Sequence, residues 1–298
     1  MDSFYDFIKE HPPVKRLQVN DLLLAEYQCP LSQYRYDIWS HHNYFIYVIS
    51  GKKKWFTRNQ ECLVEPGDCL FVRKGAHSVY QYFDDEFCAV VLFVPDSFIR
   101  SVLKENRIKP GNPDDFTGDE TLFMIEAEKE LKAYFHSFLA YLNSSDNPVK
   151  SLMELKFREL IIITATRSGD EKLTGYLSGL CNTSKPSVRD VMEDNFNYPM
   201  NLQEYARLSG RSLSAFRRDF KKIFNTTPGR WLTNKRLEFA KYLLESTDMS
   251  VSETVYESGF KNNSHFNRVF RETYGMTPLE CSKKSVQQLK HKPRHARY

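Results

Sequence analysis

SGRSLSAFRRDF, residues 209–220, returns about 50 residues later as SGFKNNSHFNRVF, residues 258–270. Ser209-Gly210 matches Ser258-Gly259, and the pattern Ser-x-Phe-x-Arg-x-Phe that begins at Ser214 begins again at Ser264. Thr-Pro follows each copy, at residues 227–228 and 277–278. The second copy therefore has one extra residue in its turn and otherwise keeps register. This internal repeat decides how the last hundred residues fold.

Each copy predicts a helix, a tight turn and a second helix. Asn201, Ser212 and Ser250 stand where helix N-caps are expected, and Gly210 and Gly259 can take the positive φ that ends a helix. In the second helices, the phenylalanines at three- and four-residue steps predict a buried face, with polar and basic residues on the others. A long helix over about 228–245 joins the copies and sets a fixed separation. A short helix with arginine beside its exposed end fits the DNA major groove.

These residues resemble the AraC/XylS-type DNA-binding domain, which has two helix-turn-helix motifs joined by a linker helix. The signature is a Gly followed by Ser-x-Phe and then Thr-Pro in each copy, with KRLEFAKYLL at residues 235–244 between them. The chain departs from the usual pattern at Arg211 and Val255. The resemblance implies base contacts early in each second helix. Those positions, with Asn267 beside them, are Ser214, Arg217, Arg218, Asn263, Ser264, Asn267 and Arg268.

Contacts to DNA phosphates are expected from helix N-caps and from lysines near the second helices. The candidates are Asn201, Ser212, Lys221, Lys222, Thr227, Ser250, Lys261 and Thr277. Charge supports a polyanionic partner, because residues 1–185 carry 22 Lys/Arg against 26 Asp/Glu, whereas residues 186–298 carry 20 against 12. The net charges are therefore −4 and +8, and the second part faces nucleic acid. Each lysine can equally be a solvated surface residue.

The first part of the chain has a different spacing of apolar residues. From about residue 20 to 95, short apolar runs end in turn residues every 8–12 positions, which predicts an antiparallel sandwich or barrel. After Pro95 the pattern predicts a short helix over 96–105, and then two amphipathic helices around 120–143 and 150–166. These two helices pack on the barrel, form a dimer surface, or do both; Leu131 is taken as an outward position. The fold class is thus α+β in two domains: an antiparallel cupin-like β-barrel with flanking helices, and an all-α domain with two helix-turn-helix motifs.

Four segments are expected: a cupin-like sensing and dimerisation domain (1–168), a linker (169–187), the DNA-binding domain (188–286) and a basic tail (287–298). Pro66-Gly67-Asp68, Gly75 and His77 carry the resemblance to cupin-like barrels. The barrel interior holds an effector or is a filled core, with Tyr44, Phe45, Tyr47, Trp55 and Phe71 as the aromatic candidates.

A metal-dependent cupin enzyme fused to a DNA-binding module is the alternative. Such enzymes place two histidines on one strand face, but His41 and His42 are adjacent and would point to opposite faces. We therefore predict no metal site, no catalytic residue and no cofactor, and expect His77 to be a capping or surface histidine near a turn. The six cysteines lack a Cys-x-x-Cys pair and are expected to be reduced.

The function predicted is a sequence-specific transcription regulator, more readily an activator than a repressor. Its expected partners are promoter DNA, RNA polymerase, a second copy of the chain, and an unidentified small-molecule effector or regulatory protein. No apolar run is long enough to cross a membrane, and residues 1–4 lack the features of a signal peptide, so a cytoplasmic protein is expected. A purely architectural DNA-binding protein would leave the barrel without a role. A barrel with no metal ligands also resembles, more loosely, a subgroup of virulence and type III secretion activators.

Overall fold

The computed structural model describes residues 1–283 except residues 13, 30–32, 84–85, 127–128, 143–147 and 183–184. The chain divides into two units, Met1–Pro186 and Ser187–Tyr298. The expected basic tail, 287–298, lies outside the described residues.

The first unit is built from strands with helices at its beginning and end. Its strands are β1 (Asp2–Ser3), β2 (Lys15–Val19), β3 (Leu22–Gln28), β4 (Arg35–Ser40), β5 (Asn43–Ser50), β6 (Lys53–Phe56), β7 (Glu61–Val64), β8 (Cys69–Val72), β9 (Gly75–Gln81), β10 (Cys88–Val94) and β11 (Leu122–Ile125). Its helices are α1 (Phe4–Glu10), α2 (Asp96–Glu105), α3 (Lys129–Leu142), α4 (Lys150–Arg167) and α5 (Glu171–Asn182).

The strands form two sheets that enclose one core. One sheet has the order β1-β4-β9-β6-β7 and the other β11-β8-β5-β10-β3-β2. All neighbours are antiparallel except the β1–β4 pair. Side chains from both sheets, among them Tyr44, Trp55 and Val79, fill the interior together with Phe4 and Ile8 of α1. The expected antiparallel β domain with flanking helices is therefore confirmed.

The aromatic residues expected inside the barrel lie on two different faces. Alternate residues of β5 point to opposite sides, so Tyr44 belongs to the interior core, whereas Phe45 and Tyr47 pack with helices α2–α5 on the outer face of the six-stranded sheet. Trp55 is interior and Phe71 is on the helix side. Because helices cover this sheet, strand β5 is buried on both faces, which explains its continuous apolar run.

Three expectations about this unit are wrong. Leu131 is only 3% exposed and belongs to the core under α3, so it is not an outward position. Residues 171–182 form helix α5, whose Leu173 and Leu177 are fully buried in the same core, so most of the tether predicted over 169–187 is a packed helix. His77 is also misplaced, since it lies within β9 with its side chain fully buried.

His77 belongs to a small polar cluster inside the barrel. Its Nε2 contacts the hydroxyl of Tyr44, and the indole of Trp55 donates to that hydroxyl over 3.3 Å. Burial lowers the pKa of His77 to about 3, so the ring is neutral at physiological pH. His41 and His42 lie in the bend between β4 and β5. Among the described residues, no group of three His, Cys, Asp or Glu side chains is arranged to hold a metal ion.

The second unit is helical throughout its described part. Its helices are α6 (Val188–Asn195), α7 (Leu202–Leu208), α8 (Leu213–Phe224), α9 (Pro228–Ser246), α10 (Val251–Glu257) and α11 (Asn263–Tyr274). Another helical turn begins at Pro278. This matches the two predicted motifs and the linker helix, with α6 added in front. No helix in the described part of the chain has the length and apolar character needed to cross a membrane.

Candidate nucleic-acid interface

The first copy of the repeat folds as α7, a turn and α8. The side chain of Asn201 caps α7, and Glu204 bonds back to the Asn201 amide over 2.6 Å, completing a capping box. Gly210 ends α7 with φ +64°, and Ser212 then caps α8 by accepting from the amide of Ala215. Local residues thus specify the start of both helices and the turn between them.

The second copy has the same design. Ser250 and Glu253 form the capping box of α10, Gly259 follows with φ +81°, and Asn262 caps α11. The hydrogen bond from Ser250 lowers the pKa of the Glu253 carboxyl, which keeps this acid ionised at the start of α10. The two motifs therefore share their turn geometry, although the second turn has one more residue.

The second helix of each motif buries its phenylalanines and exposes the predicted base-contacting residues. Phe216 and Phe220 of α8, and Phe266 and Phe270 of α11, are 0% exposed. The seven candidates for base contact are all solvent-exposed: Ser214, Arg217, Arg218, Asn263, Ser264, Asn267 and Arg268. The structure therefore presents all seven at the surface, three on one helix and four on the other.

The two central arginines form ion pairs at the surface. Arg218 lies 3.4 Å from Asp219, with 68% of its side chain exposed, and Arg268 lies 2.9 Å from Glu272, with 62% exposed. Exposed pairs of this kind contribute little to stability. Both guanidinium groups are therefore available to another partner at small cost.

Asn267 and Arg268 also line a surface groove of about 620 Å³ with Arg271, Glu272 and Thr277. This groove brings two base-contact candidates beside one phosphate candidate.

The phosphate candidates fall into two groups. The first group consists of five N-caps, and the side chain of each accepts a hydrogen bond from a backbone amide of its own helix. They are Asn201, Ser212, Thr227, Ser250 and Thr277. Lys221, Lys222 and Lys261 are exposed.

Three of those N-termini already hold a carboxylate. Glu204, Glu253 and Glu280 accept from the backbone amides of Asn201, Ser250 and Thr277. The first turns of α8, α9 and α11 contain no acidic residue. An anion is therefore better received at Ser212 and Thr227, and at the start of α11, than at the capping boxes.

Sequence reasoning did not assign a role to Arg236, which connects the linker helix to the loop between α6 and α7. It lies on α9 and donates from Nε to the carbonyl of Phe196 over 2.6 Å and from a terminal nitrogen to that of Tyr198 over 2.7 Å. The sequence does carry a signal for Arg236, because this arginine lies within the apolar face of α9 that includes Leu232 and Leu237.

Gly259 lies against the same loop. A Cβ atom there would come within 2.7 Å of the Asn197 carbonyl oxygen and 3.1 Å of Arg236 Nε. The turn of the second motif thus packs directly on the loop between α6 and α7, which Arg236 holds to the linker helix.

Arg211 has a role in the first motif. Its guanidinium donates to the Ser209 carbonyl over 2.7 Å and lies 3.1 Å from Asp219 of α8. Hydrogen bonding from Arg211 is the main reason that the pKa of Asp219 lies below its usual value, and Arg218 adds to the effect. This departure from the family pattern therefore ties the turn to α8.

Known protein families match both units. The ExsA N-terminal regulatory domain matches residues 43–176, and a helix-turn-helix domain matches residues 205–284.

Curated relatives match along most of the chain. The virulence regulon transcriptional activator VirF of Yersinia enterocolitica is 25% identical over 241 residues, which cover 78% of this chain and 86% of VirF. The HTH-type transcriptional regulator ExsA of Pseudomonas aeruginosa is 26% identical over 219 residues, covering 73% of this chain and 77% of ExsA. A solved structure of ToxT from Vibrio cholerae aligns at 14% identity, with a TM-score of 0.39, over 89% of this chain and 98% of ToxT.

Capped motifs that repeat in register, an exposed basic helix in each, and matches to regulators over both units agree with one another. The chain belongs to the AraC/XylS-type family of transcription regulators, with an ExsA-type regulatory unit ahead of a double helix-turn-helix DNA-binding unit.

Proposed function

We propose that this protein activates transcription by placing α8 and α11 in two successive major grooves of promoter DNA. The observation that carries the proposal is the pair of equivalent helices, each capped, buried on its phenylalanine face and exposed at its polar residues. Ser214, Arg217 and Arg218 would contact bases in one groove. Asn263, Ser264, Asn267 and Arg268 would contact bases in the other. Arginine pairs with guanine, and asparagine with adenine, through two hydrogen bonds each.

Phosphate contacts would flank these base contacts. Lys221, Lys222 and Lys261 supply positive charge, and the N-termini at Ser212 and Thr227 supply backbone N–H groups without a competing carboxylate. The backbone amides of Asn201, Ser250 and Thr277 already donate to glutamate carboxylates. These three residues would therefore lie near phosphates without donating their backbone N–H groups to them. Such contacts orient the protein on DNA and carry no sequence information.

The packing of the second turn and the linker helix on the loop before the first motif supports a fixed spacing on DNA. Arg236 and Gly259 join the linker helix and the second turn to the loop at residues 196–198. Two motifs packed in this way move together, so one protomer would cover two contact blocks about one helical turn, or ~34 Å, apart.

Control through the first unit is the second part of the proposal. VirF is a transcriptional activator by name, and the first unit here matches a regulatory domain. The regulator would act with RNA polymerase, as a homodimer, in response to a small molecule or a regulatory protein. Its site of action is the cytoplasm, where promoter DNA lies. The proposal includes no catalytic activity and no cofactor, and the described residues hold no three-residue metal-binding cluster.

The proposed functions divide the chain into four segments. Residues 1–182 would form the sensing and dimerisation domain, since α5 packs in its core. Residues near 183–187 would connect the two units, residues 188–286 would bind DNA, and residues 287–298 would form a basic tail.

A footprint on the promoter regions bound in a genome-wide survey tests the proposal. One protomer should protect two blocks on one face of the duplex, and moving the blocks apart by a few base pairs should weaken binding. Protection of a single short block per protomer, or indifference to the spacing, would overturn it.

A further inference from the structure

Three polar residues form a row along the exposed side of α11, at three- and four-residue steps: His265, Arg268 and Glu272. Arg268 lies in the middle of the row. One terminal nitrogen of its guanidinium donates to the Glu272 carboxylate over 2.9 Å, and the other lies 3.4 Å from Nδ1 of His265. Both terminal nitrogens of this arginine are thus contacted by residues of its own helix.

The first copy of the repeat has other residues in this row. The equivalent positions of α8 hold Ala215, Arg218 and Lys222. Because Lys222 is a cation, α8 carries a positive charge four residues after its arginine, where α11 carries a negative one. Arg218 lies instead beside its neighbour Asp219, through Nε at 3.4 Å. The two equivalent arginines therefore have different surroundings, although their turns and helices match.

Glu272 also lines the surface groove of about 620 Å³ described above. It is the acidic member of that lining, next to Asn267 and Arg268, the candidates for base contact, and to Thr277, a candidate for phosphate contact. A carboxylate at this place repels DNA phosphates. Glu272 therefore weakens binding to every sequence unless it also improves the contact with some of them.

The pair with Glu272 affects phosphates and bases differently. A phosphate accepts from a guanidinium in the same two-pronged geometry as a carboxylate, so it competes with Glu272 for Arg268. Guanine needs only two N–H groups, for its O6 and N7 atoms. Arginine has five N–H donors, so Arg268 can keep its bond to Glu272 and present another edge to guanine. Binding to random DNA depends on phosphate contacts, so the pair weakens random binding more than specific binding.

We propose that Glu272 is a positioning residue that sets the sequence specificity of the second motif, by holding Arg268 for contact with a base edge and away from contact with phosphates. The inference rests on the proposed placement of α11 in a major groove. The first motif, with Lys222 at the equivalent position, is then the half of the DNA-binding unit that discriminates less between sequences.

The test measures binding of the full chain to the promoter site found in the genome-wide survey and to random DNA of equal length, at several salt concentrations. Glu272→Gln keeps the size of the side chain and removes its charge. Random DNA should bind about three- to fivefold more tightly, and the slope of log affinity against log salt should steepen by about 0.9, because Arg268 then neutralises one more phosphate. Affinity for the promoter site should not rise, so the ratio of specific to random binding should fall by about threefold or more.

Two further variants locate the effect. Glu193→Gln is the matched control, because Arg189 and Glu193 form an Arg–Glu pair of the same spacing, at 3.5 Å, on α6, which carries none of the proposed base contacts. It makes the same change in net charge and should leave the ratio unchanged. In a chain that already carries Arg268→Ala, Glu272→Gln should change the ratio by less than about twofold, because the side chain that it positions is gone.

An unchanged ratio in Glu272→Gln would overturn the inference, as would an equal fall in Glu193→Gln or a fall that persists without Arg268. A gain in affinity for both DNAs alike would show that Glu272 only repels phosphates, and it too would overturn the inference. Arg268→Ala alone tests the proposed function. If it weakens promoter and random DNA equally, α11 does not contact bases and both proposals fail. If it weakens the promoter site selectively while Glu272→Gln leaves the ratio unchanged, only the inference about Glu272 fails.

Discussion

Gly210 and Gly259 occupy the same position in two copies of one motif, yet their surroundings differ. Both follow a seven-residue helix, and both have positive φ, +64° and +81°. A Cβ atom at Gly210 would meet nothing within 4 Å, whereas one at Gly259 would strike the Asn197 carbonyl. The repeat in the sequence therefore specifies the turn twice, and the tertiary fold packs the second glycine, unlike the first, against a distant loop.

The largest effect should separate these two glycines. Gly210→Ala should cost about 1–2 kcal/mol, the penalty of a left-handed conformation for a residue with a Cβ atom. Gly259→Ala should cost a further ~1–3 kcal/mol, because the methyl group must displace packed backbone. Hydrogen exchange in the full chain measures both free energies, at the α7 and α8 amides for Gly210→Ala and at the α10 and α11 amides for Gly259→Ala. Gly259→Ala should also relax the preferred spacing of the DNA blocks. Equal effects of the two substitutions would show that the contact at Asn197 does not constrain the second motif.

The two recognition helices should divide the DNA site between them. Arg218→Ala and Arg268→Ala should each weaken the specific site by ~1–3 kcal/mol and relax selectivity at one position, in different blocks. Lys222→Ala is the control for charge alone and should weaken all sequences alike, reducing the salt slope by about one unit. Binding curves on specific and random DNA at several salt concentrations make the distinction. If the arginine variants lose specific and random DNA equally, the two arginines do not contact bases.

The smallest effect concerns an ion pair that exists only in the first copy. Arg211 holds the pKa of Asp219 below its usual value, and Val269 stands at the equivalent of Asp219 in the second copy. Because the pKa is lower in the folded state, the ion pair stabilises the protein fully above the unfolded pKa of about 3.9. This stabilisation is lost as the pH falls through the folded-state pKa. In Arg211→Ala, the Asp219 pKa should rise toward its ordinary value while remaining lowered by Arg218. An NMR titration of the side-chain carboxyl in both proteins measures it, and an unchanged pKa would assign the effect to Arg218.

The comparison between copies also shows what sequence reasoning can reach. The caps at Asn201, Ser212 and Ser250 were predicted because an N-cap, its helix and the following glycine are neighbours along the chain. The exposure of Arg218 and Arg268 followed from the spacing of the phenylalanines. Both depend on local order alone, which a single sequence contains.

The features that escaped prediction depend on distant partners. Arg236 and Gly259 acquire their roles from a loop about 40 and 60 residues earlier in the chain. Lys53 and His77 become buried when β6 and β9 pair with their neighbours. The sequences of these strands, KKWF and GAHSVYQ, do not show which face of each strand turns inward. Helix α5 could have been predicted from the sequence, because its apolar residues follow the three- and four-residue spacing of a helix. They are Leu173, Tyr176, Leu177 and Leu180. Its flanking glycine and asparagine residues favoured a linker instead.

The linker helix α9 has a consequence for how such a regulator changes over evolutionary time. Each residue added to an α-helix advances it by about 1.5 Å and turns it by about 100°. One inserted residue between Arg236 and the second motif would therefore turn α11 away from the groove proposed for it, next to the one proposed for α8. It would also separate Gly259 from its loop. With the base contacts proposed above, substitutions at the surfaces of α8 and α11 would change which bases are preferred one position at a time. Insertions in α9 would disrupt both contacts, so we expect operator sequences to diverge while the distance between their two halves stays the same.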